Sequence, residues 1–396
     1  MPDHSDFIAR ITATAASRET EHELLFDQIK ELQSLGFGAS RLPSSWGGGG
    51  VSLEQLFTKL IELAAADSNL AHAYRGHLAF VESLLLGGLD QDSVWVTRIL
   101  AGDFVGNAQS ERQETAHITT RLDREVDKIF LTGTKYYTTG SIYADWIHLA
   151  ALDGDVRVGV TVSTAHDGVQ SIDDWDGIGQ PLTGSGTTIF DRAPVDEENV
   201  LTGTDDAARW HYLGSIFQLS LIAVIAGIAR AAVDDTVAYV RPRRRTAGFE
   251  GESLPREDPL VQLVVGEISG VAHAARELVL SSARALDTAF DGVRAGTADP
   301  EALRAAQLDV YRLQHVVPSL VLDALTRLFE VGGATAVSRS LALDRHWRNV
   351  RTIASHNPTA QRTKAIGQWE LNGTLPEWKA PGALKKQNYE QEAHKA

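Results

Sequence analysis

Apolar residues recur at three- and four-residue spacing at both ends of this chain and change to short β-branched runs in the middle. In LLFDQIKELQSLGFG, Leu25, Ile29, Leu32 and Leu35 fall on one helical face, and Gly36 follows as a C-terminal stop. The stretch SLEQLFTKLIELAAADSNLAHAYRGHLAFVESLLLGG keeps the same texture. Pro43 and the run Gly47 to Gly50 mark a loop between the two. Residues 1–105 therefore read as an N-terminal helical domain.

Near Gly106 the pattern changes. HITTRLDREVDKIFLTGTKYYTTG, DWIHLAALDGDVRVGVTV and GTTIFDRAPV are strand-like runs separated by Gly and Asp turns, so residues 106–205 read as a β domain. Helical spacing returns over 210–240, 259–292 and 299–331. Asp258-Pro259 and Asp299-Pro300 supply N-cap and N1 residues for the second and third of these segments. The segment RPRRRTAGFEGESLPRE between the first two reads as a loop. Helices of about 30 residues predict a bundle over 206–374. Gly214, Gly227, Ala231 and Gly270 are small enough for close packing there or for an oligomer interface. Residues 375–396 form a polar tail. The fold class is α+β, mainly α. Strands and helices do not alternate as in a doubly wound sheet.

Composition narrows the function classes. The 396 residues carry a net charge of −15, which argues against nucleic acid or an anionic membrane as the main partner. With no cysteine, disulfides, thiolate metal sites and cysteine nucleophiles are excluded. The single Met is the initiator. So little oxidisable sulfur suits work beside peroxides, or reflects compositional drift. No stretch reads as the ~20 apolar residues of a membrane span. MPDHSDF lacks a signal-peptide pattern, so a cytoplasmic location is expected.

Individual motifs leave alternatives open. Gly184-Ser185-Gly186 leads into a strand, not a helix, and no Walker lysine follows; it is a plain turn or a small cradle for a polar group. His72 and His77, five apart, diverge by about 140° on a helix and share a metal poorly. No metal site is expected. Trp175, in an acidic and Gly-flanked run, is a core anchor or the wall of a flat ligand. His356, in IASHNPTAQ, caps a loop or faces a ligand.

In this order the pieces resemble the acyl-CoA dehydrogenase superfamily across nearly the whole chain. The resemblance is carried by FVGNAQSE (104–111), LTGTKYYTTGSIYADW (131–146) and DDWDGIGQPLTGSGTTIFDRAPVDEENVL (173–201). It implies a helical domain, a β domain and a C-terminal four-helix bundle, with a flavin between the last two. FEVGGA (329–334) and LDRHWRNVRTIASHNPTAQRTKAIGQWELNG (343–373) resemble its flavin-dependent monooxygenase branch, which includes dibenzothiophene and alkanesulfinate-type monooxygenases. Dehydrogenases of this superfamily need a carboxylate to take the substrate α-proton. The two places where the family puts it read SHNPT and Gly214-Ser215-Ile216-Phe217-Gln218, both without Asp or Glu.

The branch implies FMN, used as FMNH2 from a separate flavin reductase, with dioxygen forming a flavin C4a-hydroperoxide that oxygenates a small substrate at sulfur, nitrogen or carbon. A homotetramer is also implied. By the same resemblance Asn107 and Ser110 meet the flavin ring edge, Thr139 its N5/C4a side, and Tyr137 an aromatic position beside it. Trp175 lines the ring pocket, and Thr183 and Ser185 shape it. His72 and His356 face the substrate, His356 as hydrogen-bond or proton donor. The phosphate falls to arginines within Arg241 to Arg245. Three positions depart from the branch: Gly76 replaces a Tyr, Ile353 a second His, and Asn357-Pro358 an Asp-Pro. These departures imply a larger pocket with fewer donors. The alternative readings are an FAD-dependent acyl-CoA dehydrogenase and a flavin-binding member whose activity has lapsed.

Overall fold

The computed structural model describes residues 5–112, 118–201, 207–244 and 254–374. Six helices come first: α1 (Ser5–Thr20), α2 (Phe26–Ser34), α3 (Leu53–Ala66), α4 (Ser68–Ala73), α5 (Arg75–Leu86) and α6 (Val94–Ala101). Local chemistry starts two of them. Ser52 and Gln55 close a reciprocal capping box at α3. One residue after α3 ends, the Asp67 carboxylate accepts from the Asn69 and Leu70 N–H groups and starts α4.

Eight strands follow: β1 (Val105–Ala108), β2 (Arg121–Glu125), β3 (Lys128–Tyr136), β4 (Trp146–Asp153), β5 (Val156–Ser163), β6 (Val169–Ser171), β7 (Thr187–Val195) and β8 (Val200–Leu201). They form one sheet in the order β6-β7-β3-β2-β4-β5-β8, with β1 added parallel to β4. The β3–β7 register places Tyr136 opposite Thr187. This brings the segments that follow β3 and precede β7 to the same end of the sheet.

The C-terminal part holds α7 (Ala207–Val240), α8 (Pro259–Ala295), α9 (Pro300–Arg327), α10 (Asp344–Ala354) and α11 (Thr359–Asn372). Asp258 and Asp299 cap α8 and α9 through their side chains, each with Pro at the first turn. The fourth position of the expected bundle is split into α10 and α11 by the turn that contains His356.

By length and composition α7 could cross a membrane, which corrects the expectation that no stretch approaches a span. Most of its apolar window is buried inside the protein, where α3, α8 and α9 pack on it. Gly227 permits the α3 contact, because a Cβ there would lie 2.4 Å from Ala64 Cβ. Gly214 and Gly270 have nothing within 4 Å and serve no such packing within the chain.

Candidate active site

His72 lies on α4, whose start is locked by Asp67. The Asp67 carboxylate also pairs with Arg18 of α1 at 2.8 Å, with both side chains only 2% exposed. His72 Nδ1 sits 2.9 Å from Gln180 Oε1. An amide oxygen only accepts, so Nδ1 carries the proton and donates. Nε2 is then an unprotonated acceptor, buried, with no partner among the described residues. Burial first, then the positive charge of Arg75, lowers the imidazole pKa to about 4. His72 is therefore neutral near pH 7.

Gln180 is held from three sides in a left-handed backbone conformation, φ 55°. Its N–H donates to Asn349 Oδ1 of α10 at 2.6 Å, its Nε2 donates to Ser68 Oγ at 2.9 Å, and its Oε1 accepts from His72. From its main chain a row of hydroxyls runs into the Gly-rich segment. Thr183 Oγ1 donates to the Gln180 carbonyl at 3.0 Å, and Ser185 Oγ lies 2.7 Å from Thr183 Oγ1 and 2.8 Å from Thr139 Oγ1. Each hydroxyl has one proton. Once Thr183 gives its proton to the carbonyl, Ser185 donates to Thr183 and Thr139 to Ser185. The free end of the row is Thr139, left with acceptor lone pairs only.

Asn107, on the buried strand β1, joins this group through its main chain: its N–H donates to the Thr139 carbonyl at 3.3 Å. Gly76 stands directly behind it. A Cβ at Gly76 would lie 2.5 Å from Asn107 Cβ. The glycine therefore brings α5 against β1, and the expectation that it enlarges the pocket is corrected. Tyr137 is half exposed, takes φ 67°, and meets the Trp175 ring edge to face at 6.1 Å. Trp175 Nε1 donates to the Gly179 carbonyl at 3.2 Å, and the ring folds over Gly177, where a Cβ would clash with it.

Arg75, the first residue of α5, has only 6% of its surface exposed. Its Nε donates to the Phe217 carbonyl at 3.0 Å, and its guanidinium lies 4.9 Å over the Phe217 ring. Its Nη1 lies 3.2 Å from His356 Nε2. A guanidinium only donates, so His356 Nε2 accepts and is unprotonated. Burial first, then the charge of Arg75, holds the His356 pKa well below the usual value. The structure thus gives His356 a holding role toward Arg75 in addition to the donor role expected of it. Beside it, Gln218 Oε1 accepts from Asn357 Nδ2 at 2.5 Å and from Gln314 Nε2 at 2.9 Å. Ile353, Leu221, Ile222 and Pro318 line a small cavity next to this amide cluster.

The sequence-predicted residues thus fall into three groups. His72, Thr183, Ser185, Thr139 and Asn107 form one hydrogen-bonded network, with Tyr137 and Trp175 at its edge. His356 joins through Arg75, three residues beyond His72. Ser110 is exposed and contributes its carbonyl to the Tyr136 N–H. Arg241 is exposed beyond the end of α7, Arg243 stacks on Tyr239, and Arg245 lies outside the described residues. Sequence reasoning missed Arg75 and Gln180. The signal for Arg75 was an arginine inside the otherwise apolar helix run between two histidines.

Residues 5–103 match the acyl-CoA dehydrogenase N-terminal domain, and residues 219–361 match the acyl-CoA dehydrogenase C-terminal domain. The chain belongs to the acyl-CoA dehydrogenase superfamily. It is similar to dibenzothiophene monooxygenase from Rhodococcus qingshengii, 28% identical over 92% of this chain and 91% of the relative. It is also similar to the probable FMNH2-dependent monooxygenase SfnC from Pseudomonas putida, 29% identical over 94% of each. The solved complex of TdsC from Paenibacillus sp. A11-2 with FMN and indole shares the superfamily fold. Its TM-score is 0.85, with 25% identity, covering 94% of this chain and 98% of TdsC.

Proposed function

We propose that this protein is an FMNH2-dependent monooxygenase, the oxygenase component of a two-component system supplied by a separate flavin reductase. One observation carries the reading beyond superfamily membership. The two stretches where the superfamily's dehydrogenases carry their base, Gly214 to Gln218 and Ser355 to Thr359, hold no Asp or Glu, and what meets there are amides: Gln218 Oε1 accepts from Asn357 and Gln314. Among the described residues, His72, Arg75 and His356 have no carboxylate partner in a hydrogen bond or ion pair. Without a carboxylate, α-proton removal from a thioester lacks its base. The relatives named above are monooxygenases, and two of them are described with FMN or FMNH2.

The residues present fit a flavin ring. The Thr139–Ser185–Thr183 row offers lone pairs along a polar edge, and the Tyr137–Trp175 pair offers an aromatic flank. Buried Ser141 Oγ, on the segment packed against β1, has no partner among the described residues. Reduced flavin, when bound, supplies the two electrons that let dioxygen give one oxygen atom to the substrate and the other to water.

The chain's own residues do the rest. Thr139 would accept from a ring N–H, with Asn107 and Ser110 beside it, while Trp175 and Tyr137 shield the ring from solvent. His72 would accept a hydrogen bond from the substrate through Nε2, and Gln180 keeps that lone pair aimed. His356 holds Arg75 in place. Arg241, with Arg245, would meet the phosphate. The domain limits 1–105, 106–205 and 206–374 are retained.

A cytoplasmic homotetramer is the assembly we infer. Leu260 and Leu263 of α8, Val316 and Leu320 of α9 and Leu371 of α11 are exposed, apolar and suited to cover by other copies.

The test supplies the protein with FMN, a flavin reductase, NADH and a panel of dibenzothiophene, indole and methanesulfinate. The expected result is protein-dependent oxygen uptake with a product one oxygen heavier. Reduction of bound flavin by an acyl-CoA thioester under anaerobic conditions would overturn the reading.

A further inference from the structure

Among the described residues Arg18, Lys135 and Arg75 are buried and the Arg41 side chain is 9% exposed, and all but Arg75 pair with a carboxylate. Arg18 pairs with Asp67 at 2.8 Å, Arg41 with Glu82 at 2.6 Å, and Lys135 with Glu111 at 2.9 Å. Arg75 is buried like the others and has none. Its neighbours are a carbonyl oxygen, a neutral imidazole nitrogen and an aromatic face. Taking a guanidinium out of water without a counter-charge is strongly unfavourable. A ring face and two neutral acceptors offset only part of that cost.

The geometry leaves the guanidinium one open side. Nε is committed to Phe217 and one Nη1 proton to His356, while Nη2 has no acceptor among the described residues. Burial lowers the Arg75 pKa to about 10, so it stays charged at neutral pH. A guanidinium presents its N–H groups in a planar fork that matches two oxygens of one anion. Around it stand His72, neutral with an unpartnered acceptor, and the Gln218 amide cluster, so nothing anionic already occupies the site's polar wall.

We propose that Arg75 binds a two-oxygen anionic group of the substrate, a carboxylate or a sulfinate, and so selects small organic anions over neutral heteroaromatics. His356 is its positioning residue: its Nε2 lone pair fixes the angle of the fork. The proposal rests on the monooxygenase reading for the word substrate, and on Arg75 alone for the charge.

The experiment titrates the FMN-loaded protein by calorimetry with acetate, benzoate and methanesulfinate, and with neutral indole. Arg75→Gln and Arg75→Lys are compared with the wild type. The expected result is that Arg75→Gln weakens the anions by about tenfold or more, as for loss of a charge-assisted fork. Indole and FMN affinity stay within about threefold, and Arg75→Lys falls between for the anions. Arg75→Gln should melt no lower than the wild type, because it removes an uncompensated buried charge. Arg75 paired only for structure would instead lower the melting temperature.

If either variant fails to fold, the wild type alone decides: anions should raise its melting temperature in the order of their affinity, and indole should not. Anions binding no better than indole would overturn the proposal, and so would equal loss of FMN and anions in Arg75→Gln, which would place the guanidinium on the flavin. The same titration on flavin-free protein separates the two readings. Anion binding without any FMN binding sinks the monooxygenase and spares Arg75, whereas oxygenation of indole without anion binding does the reverse.

Discussion

The backbone N–H of Gln180 donates to Asn349 Oδ1 at 2.6 Å, and that bond joins α10 to the segment that orients His72. Asn349 also donates to Glu19 Oε2 of α1 at 2.8 Å. One buried amide therefore ties the first helix, the Gly-rich segment and the last part of the bundle. Asn349→Ala leaves the buried Gln180 N–H without a partner, at a cost of roughly 1–3 kcal/mol, and takes from Glu19 Oε2 one of its two donors, the other being Asn69 Nδ2. The expected outcome is a melting temperature lower by several degrees together with weaker substrate binding, read by calorimetry and oxygen uptake on the same sample.

Gln180→Leu tests the aim of His72 with less effect on the fold. The main-chain bond to Asn349 survives, and only the side-chain bonds to His72 and Ser68 are lost. KM should rise severalfold while FMN affinity, followed by flavin fluorescence, holds steady. Equal loss of both would assign Gln180 to the flavin.

The hydroxyl row predicts a redox preference. Thr139 ends it as an acceptor, which suits a ring N–H present in reduced flavin and absent from the oxidised ring. Ser185→Ala frees the Thr139 proton for donation. Anaerobic titrations should show the variant losing affinity for FMNH2 by about threefold to tenfold, the range of one neutral hydrogen bond, with FMN affinity unchanged or improved.

Gly76→Ala tests the contact of α5 with β1. The added Cβ would come within 2.5 Å of Asn107 Cβ, closer than real Cβ contacts, so one of the two elements must shift. A lower melting temperature and weaker FMN binding are expected. A variant with unchanged melting and FMN affinity would show that the strand yields freely.

Acid should destabilise the fold in a defined window. His72, His77 and His148 each sit at about 4 against an ordinary 6.5, mainly through burial. His77 shows why in bonds: Nδ1 accepts from the Val105 N–H at 3.1 Å and Nε2 donates to the Gly38 carbonyl at 3.1 Å, so a second proton has no place. The unfolded chain binds these protons more readily than the folded one. Stability is therefore full above the unfolded value and falls as pH drops from 6.5 toward 4. Melting curves at descending pH should show this decline, and His77→Gln should lessen its slope.

Spacing alone determined the order of helices, strands and long helices, because a 3.6-residue or two-residue apolar period is written locally along the chain. The same holds for the Asp-Pro starts of α8 and α9, whose caps act within two residues. The missing carboxylate in Gly214 to Gln218 and in Ser355 to Thr359 was legible for a related reason: the absence of a residue type needs no coordinates. What faces what was decided only in three dimensions. Gly76 read as lost bulk in a pocket until β1 came to lie behind it. Arg75 read as one more helix charge until folding placed it beside Phe217 and His356, which lie 142 and 281 residues further along the chain, with no carboxylate in reach. Burial and charge pairing depend on contacts between distant segments, and it is those contacts that turn an arginine into a candidate binding site.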